Sequence, residues 1–175
     1  MSKVKLATVW FSGCSGCHMS FLDLDERLVE LAQKVEVVYS PLVDMKEFPD
    51  GVDVTLVEGA VGNSEQLEML REIRRKTKIL VALGDCAVTG NVPSMRNPIP
   101  REDVLRAVYG EGEVPGLDEG EVPRLLPQAL PLAMVVPVDG FIHGCPPPAD
   151  RIWKFIRKLL SGEAPALAGE DLRFG

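Results

Sequence analysis

Short apolar runs alternate with amphipathic stretches along this chain. Five runs rich in Val, Leu and Ile have the length of strands: Val4–Phe11, Val35–Ser40, Val52–Val57, Lys78–Leu83 and Leu132–Val138. Apolar residues at helical spacing predict helices over about 22–32, 64–76, 101–108 and 152–159. Strands that alternate with helices favour a parallel sheet with right-handed crossovers. We therefore predict an α/β, flavodoxin-like fold with a five-stranded, mostly parallel sheet in the order 2-1-3-4-5 and helices on both faces.

Two segments show neither a strand-like apolar run nor a helical spacing of apolar residues. Gly110–Pro131 is rich in Gly, Pro and acidic residues, which predicts a long surface connection. Ser161–Gly175 is predicted to be an irregular tail. Pro137 places the fifth predicted strand at an edge or at its own end, because Pro cannot donate to the ladder. The 175 residues show no internal repeat, so residues 1–175 are predicted to form one domain.

Composition and charge narrow the classes of function. A net charge of −7 disfavours a nucleic-acid partner. No apolar run approaches the ~18 residues of a spanning helix, so no membrane partner is expected. The first residues lack the pattern of an export signal, since Thr8 interrupts their apolar stretch. We therefore expect a cytoplasmic protein, in which the four cysteines are ligands or catalytic thiols rather than disulfides.

The cysteines follow predicted strands. Cys14 and Cys17 come after the first strand, Cys86 after the fourth and Cys145 after the fifth. In a parallel sheet each of these segments leaves from the carboxyl end of its strand, the edge where open α/β sheets bind ligands. The sequence therefore predicts that all four thiols meet on one side of the molecule.

Four convergent thiolates are typical ligands of a tetrahedral zinc ion or of an iron–sulfur cluster. A redox disulfide would use the first pair and leave two cysteines unexplained. Structural zinc commonly uses two close pairs, whereas this chain has one close pair and two distant single cysteines. The spacing favours a cluster, with zinc and redox thiols as open alternatives. Glycines beside the thiols would let the backbone approach a cluster closely. These predicted cluster surroundings are Gly13, Gly16, Gly84 and Gly144.

Four motifs occur in the order "FSGCSGC", "VEGAVG", "GDCAVTGNVPSMRN" and "FIHGCPP". In order and spacing they resemble the small subunit of NiFe hydrogenases, and the likeness extends from about Lys5 to Leu160. The resemblance implies a flavodoxin-like domain whose four cysteines hold the proximal 4Fe-4S cluster. It also implies a separate large subunit that carries the NiFe centre.

Departures from the wider family favour one type of enzyme. Exported small subunits carry a signal and a further domain with two more clusters, and neither is expected here. The extra cysteines of the oxygen-tolerant type are missing around the first pair. The chain is most similar to the single-cluster small subunit of the cytoplasmic NAD-reducing (bidirectional) hydrogenase, a hydrogen dehydrogenase. There the electrons leave through a diaphorase module with FMN and further clusters. The related subunit of NADH–quinone oxidoreductase uses adjacent cysteines, which this chain lacks.

Two alternatives to this function stay open. The chain could deliver electrons to ferredoxin or another carrier instead of NAD, because the acceptor would bind other subunits. In a different class of function, the four cysteines would hold structural zinc in an assembly module without redox turnover.

Several polar residues lie near the predicted site. Glu58 either accepts backbone N–H groups in a turn or is a polar group near the cluster and the subunit boundary. His143 either donates a hydrogen bond towards the cluster or faces solvent. Arg96 is predicted to face a partner across the boundary. The loop that binds phosphate in flavodoxins is occupied here by "SGCSGC", so flavin is expected on partner subunits.

Overall fold

A parallel sheet organises the chain. The computed structural model describes residues 3–112, 114–117, 119–164 and 166–172. Its strands in these ranges are β1 (Val4–Trp10), β2 (Val35–Tyr39), β3 (Val52–Glu58), β4 (Val61–Asn63), β5 (Thr77–Leu83), β6 (Leu125–Leu130) and β7 (Gly140–Ile142). Five of them form one sheet in the order β2-β1-β3-β5-β7, and every neighbouring pair is parallel. The predicted α/β class with a parallel sheet is confirmed.

Helices connect these strands. They are α1 (Gly16–Leu22), α2 (Arg27–Lys34), α3 (Ser64–Lys76), α4 (Asp85–Thr89), α5 (Asn91–Ser94), α6 (Arg101–Tyr109) and α7 (Ala149–Leu160). Short 3₁₀ helices lie at Leu132–Met134 and Gly169–Leu172. None of the helices in the described ranges combines the length and apolar character that crossing a bilayer requires.

Two apolar cores lie on opposite faces of the sheet. The first packs α1 and α7 against it through Phe21 and Phe155, and the second packs α3 through Ile73. Successive side chains of a strand point to opposite faces. On β5, for example, Leu83 belongs to the first core and Ala82 to the second. Helices on both faces are therefore confirmed.

The helix predicted over 22–32 is wrong in extent, because this region forms the two helices α1 and α2. Asp25 between them has a φ of 50°, a left-handed conformation that interrupts a right-handed helix. The start of α3 agrees with its sequence signal. The side chain of Asn63 caps this helix by accepting the backbone N–H of Gln66 at 2.9 Å.

The predicted fifth strand, Leu132–Val138, is wrong. Its first residues form a 3₁₀ helix, and β7 takes the edge position beside β5. Leu132 and Val136 are nevertheless buried in the second core. A short apolar run indicates burial but does not separate a strand from other buried segments. The predicted order 2-1-3-4-5 therefore holds for this sheet when β5 is counted as its fourth strand and β7 as its fifth.

The segment Gly110–Pro131 is more than a connection. It contains β6, which pairs antiparallel with β4 in a separate two-stranded sheet. Pro127 makes β6 hard to predict from the sequence, because Pro is typical of strand edges and turns. Residues 113 and 118 of this segment lie outside the described residues, as do 1, 2, 165 and 173–175. The tail from Ser161 contains one short 3₁₀ helix in its described part.

Candidate metal centre

All four cysteines lie just beyond the carboxyl end of a strand. Cys14 and Cys17 follow β1, Cys86 follows β5 and Cys145 follows β7. Because these three strands are parallel members of one sheet, their loops leave from the same edge. Cys17 and Cys86 are buried, Cys14 and Cys145 are exposed, and all four are free thiols.

Hydrogen bonds tie the first cysteine loop to the turn after β3. The backbone N–H of Ser12 donates to the carbonyl of Ala60 at 3.0 Å, and the N–H of Ala60 donates back at 2.8 Å. The carboxylate of Glu58 accepts the backbone N–H of His18 at 2.9 Å and that of Cys17 at 3.4 Å. Glu58 therefore fixes the first turn of α1, and with it the position of Cys17.

A second set of hydrogen bonds joins the loops after β5 and β7. The backbone N–H of Asp85 donates to the carbonyl of Gly144 at 2.9 Å, and the Asp85 carboxylate accepts the N–H of Gly144 at 2.7 Å. The hydroxyl of Ser20 on α1 donates to the carbonyl of Pro147 at 2.5 Å. All the cysteine-bearing loops are therefore held to one another.

A cavity of about 430 Å³ opens between these loops. Cys14, Cys86 and Cys145 form part of its wall, and apolar side chains such as Val92 and Leu125 complete it. Across the described ranges, no three His, Cys, Asp or Glu side chains are grouped tightly enough to hold one metal ion. Cys17 is not among the described residues that line this cavity.

The electrostatics of this region disfavour free thiolates. Burial raises the pKa of the Cys17 thiol far above its usual range, and the charges of Glu58 and of the three other cysteines raise it further. Burial also raises the pKa of Cys86, although the backbone N–H of Val92 opposes the rise. A bound metal reverses this balance, because its positive charge deprotonates coordinating thiols.

Two of the predicted glycines lie directly against a thiol. A Cβ atom on Gly84 would overlap the Sγ of Cys17, and one on Gly16 would lie 3.3 Å from the Sγ of Cys14. At both positions the missing side chain leaves room for sulfur. The two glycines that pack against backbone atoms instead are Gly13 and Gly144.

Glu58 has a partner that the sequence does not predict. The Nδ1 of His18 lies 2.5 Å from the Oε2 of Glu58, and both residues are buried. The Nε2 of His18 has no hydrogen-bond partner within the described ranges. Glu58 accepts backbone N–H groups, as the first of its two interpretations expected, although these belong to α1 and not to its own turn. No local sequence signal could reveal a pair that is 40 positions apart.

The two remaining polar candidates, His143 and Arg96, differ in their hydrogen bonds. His143 is half-buried, and its carbonyl accepts a hydrogen bond from Arg151 at 2.6 Å. A bond from the His143 ring towards a cluster stays a prediction. Arg96 is bound within the chain through its guanidinium. Its three acceptors are the carbonyls of Gly62, Leu126 and Pro127, at 3.1, 3.0 and 3.3 Å.

The fold and the cysteine loops define a family. Residues 14–159 match the family described as NADH ubiquinone oxidoreductase, 20 Kd subunit, and the chain belongs to it. A solved NAD+-reducing NiFe hydrogenase in the H2-reduced state contains a chain with the same fold. The two chains share 41% identity and a TM-score of 0.91, over 99% of this chain and 100% of that one.

Hydrogenase subunits are also close in sequence. The NAD-reducing hydrogenase HoxS subunit delta of Cupriavidus necator is 40% identical over 167 residues, which is 91% of this chain and 80% of that protein. A subunit of the F420-non-reducing hydrogenase vhu of Methanocaldococcus jannaschii is 40% identical over 171 residues. That match covers 94% of this chain, which spans only 58% of the length of this relative. The resemblance to hydrogenase small subunits is confirmed.

Proposed function

We propose that this chain is the electron-transferring small subunit of an NAD-reducing NiFe hydrogenase. Its four cysteines, Cys14, Cys17, Cys86 and Cys145, hold one 4Fe-4S cluster. The proposal rests on the position of these cysteines. All four follow the carboxyl ends of strands at one edge of the sheet. The chain also matches a chain of an NAD+-reducing NiFe hydrogenase over nearly its full length.

The donor set fits such a cluster. All four candidate ligands are thiols, the usual ligands of iron–sulfur clusters. Cys14, Cys86 and Cys145 line a cavity of about 430 Å³ that also carries apolar side chains, and the Sγ of Cys17 lies against Gly84 beside the same loops. When bound, a 4Fe-4S cluster takes up and releases single electrons. Structural zinc would instead commonly use two close pairs of cysteines, whereas this chain has one close pair and two distant single cysteines.

The chain's own residues bind and shield the cluster. The thiolates bind iron and act neither as acid nor as base. Glu58 and Asp85 fix the loops that carry three of the cysteines, through hydrogen bonds to backbone N–H groups. The backbone N–H of Val92 lowers the pKa of Cys86 and so favours the thiolate form that binds iron.

A large subunit with the NiFe centre covers the cysteine edge in this proposal. Cys14 and Cys145 are exposed, and large apolar side chains are exposed at the end of β1, on α1 and just after α5. These are Trp10, Met19 and Met95, with 47%, 58% and 74% of their surface exposed. Exposed apolar groups around a site are typical of a protein interface.

Hydrogen is split on the large subunit, and electrons pass singly through this chain to diaphorase subunits. Those subunits carry FMN and further clusters. We place the whole complex in the cytoplasm. The segments Gly110–Pro131 and Ser161–Gly175 are expected to lie over partner surfaces.

One observation favours a second acceptor. The chain is as similar to a subunit of an F420-non-reducing hydrogenase, a relative that is not named as NAD-reducing, so delivery to ferredoxin or another carrier is the second candidate. Subunits that copurify anaerobically with a tagged form of this chain distinguish the two. Flavin-containing subunits and hydrogen-dependent reduction of NAD support the first proposal, whereas activity with another carrier alone contradicts its NAD-reducing part.

The cluster is tested by Cys86→Ser in the same complex. We expect loss of iron and acid-labile sulfide and loss of hydrogen-dependent NAD reduction, because one ligand is missing. Thr89→Ser on the same helix is the matched control and should retain both. Unchanged iron and activity in Cys86→Ser would refute the ligand assignment. Colourless protein with one zinc ion per chain would support the assembly module instead.

A further inference from the structure

A cationic side chain faces the cysteine cavity. Arg96 lines the same cavity as Cys14, Cys86 and Cys145. Of the described residues that line it, Arg96 is the only one with a positive charge. Any cofactor held by the thiols would therefore share this cavity with a guanidinium.

The charge of Arg96 is not neutralised locally. Its hydrogen bonds go to the neutral backbone carbonyls of Gly62, Leu126 and Pro127. No carboxylate in the described part of the chain pairs with it. Burial lowers the pKa of Arg96, but an arginine side chain stays protonated in proteins. Its positive charge is therefore permanent and acts on the cavity.

The guanidinium is also held in a fixed place. Gly62, which accepts one of its bonds at 3.1 Å, lines the cavity too. Gly62 packs so closely on Ser12 that an added Cβ would lie 2.5 Å from the Ser12 Oγ. Both Ser12 Oγ and the Gly62 N–H donate to the side chain of Gln66, at 2.9 and 2.8 Å. Arg96 is thus anchored to the segment that leads into Cys14.

We propose that Arg96 sets the reduction potential of the cluster by favouring its reduced form. This inference rests on the proposed function. An added electron makes the thiolate-bound cluster more negative, and a fixed positive charge beside an apolar cavity stabilises that state. The buried carboxylates of Glu58 and Asp85 act in the opposite direction. Arg96 offsets them and keeps the cluster reducible by electrons from the partner.

Two nearby residues provide matched controls. The amide of Asn97 also fastens β6, through hydrogen bonds of 2.8 and 2.9 Å to the backbone of Ala129, but it carries no charge. Arg101 also donates to β6, at the carbonyl of Leu125, but it forms an exposed ion pair with Glu102. Asn97→Ala therefore removes strand contacts without charge, and Arg101→Gln removes a charge away from the thiols.

The test is a redox titration of the anaerobically purified complex, followed by low-temperature EPR. The relevant signal is the one that Cys86→Ser removes. In Arg96→Gln we expect at least a tenfold fall in the ratio of reduced to oxidised cluster at a given potential, a shift of at least about 59 mV to lower potential for a one-electron couple. Arg96→Lys, Asn97→Ala and Arg101→Gln should each shift the ratio by less than threefold.

An unchanged potential in Arg96→Gln with normal iron content would overturn the inference. An equal shift in Asn97→Ala would also overturn it, because strand contacts rather than charge would then be the cause. If Arg96→Gln loses the cluster, the result for Arg96→Lys tests the inference. A retained cluster with a near-normal potential in Arg96→Lys supports the role of charge. Loss of the cluster in Arg96→Lys contradicts that role. Absence of iron from the unmodified chain would instead refute the proposed function itself.

Discussion

Replacement of Gly84 by alanine should damage the cysteine site through one added methyl group. Gly84 has φ 81° and ψ 163°, a region populated almost only by glycine, so any side chain there costs about 1–3 kcal/mol of backbone strain. The new Cβ would also overlap the Sγ of Cys17. Overpacking of this kind costs about 1–3 kcal/mol more. The sum, about 2–6 kcal/mol, is a large part of a typical domain stability of about 5–15 kcal/mol.

Gly110 offers a matched control for the backbone strain. Its φ of 78° and ψ of −158° lie in the same glycine region, and no atom of the described residues lies within 4 Å of an added Cβ. Gly110→Ala should therefore lose about 1–3 kcal/mol of unfolding free energy and keep the site intact. The difference between the two variants isolates the overlap with the sulfur.

The assay is iron and acid-labile sulfide per chain in the anaerobically purified complex, together with its melting temperature. We expect Gly84→Ala to lose about four irons and four sulfides per complex, those of the one cluster assigned to this chain, and to melt at a lower temperature than Gly110→Ala. Equal iron content and equal melting temperatures in the two variants would show that Gly84 does not make room for Cys17.

Three further predictions concern stability. Glu58→Ala should lower the free energy of unfolding by about 1–3 kcal/mol in urea titrations, because it leaves buried N–H donors unpaired. Glu58→Gln keeps an acceptor for these donors and should therefore lower the free energy of unfolding less. Because the folded state raises the pKa of Cys17, the unfolded chain releases that proton first. The melting temperature of cluster-free protein should therefore fall as the pH rises above about 9.0, and Cys17→Ala should reduce this fall. Arg74→Met should lower the free energy of unfolding by about 1–3 kcal/mol, because Arg74 binds Asp139 at 2.5 Å and three carbonyls where β5 and β7 meet. The control Arg106→Met breaks exposed ion pairs and should lower this free energy less in the same melts.

The central sheet could be predicted because its strands leave a strong local signal. Residues 52–57 and 78–83 are mostly apolar runs that end near glycine, as expected for strands buried on both faces. Once the sheet is parallel, the carboxyl ends of its strands share one edge. The placement of the cysteine loops then follows from topology alone.

Other features depend on contacts that no local pattern contains. The strand β7 has only three residues, and its place beside β5 comes from pairing with Val81–Leu83. The pair of His18 and Glu58 joins α1 to the end of β3. Arg96 could be interpreted only as a charged loop residue, because its three carbonyl partners lie on β4 and β6. Tertiary packing decides such positions.

The most direct test of the cofactor is anomalous diffraction from crystals of the complex, grown without air, with data at the iron and zinc absorption edges. A cubane of four irons, each bound to one of the sulfurs of residues 14, 17, 86 and 145, is the predicted result. A single zinc ion at this edge of the sheet, or any of these four sulfurs unbound to iron, would contradict it.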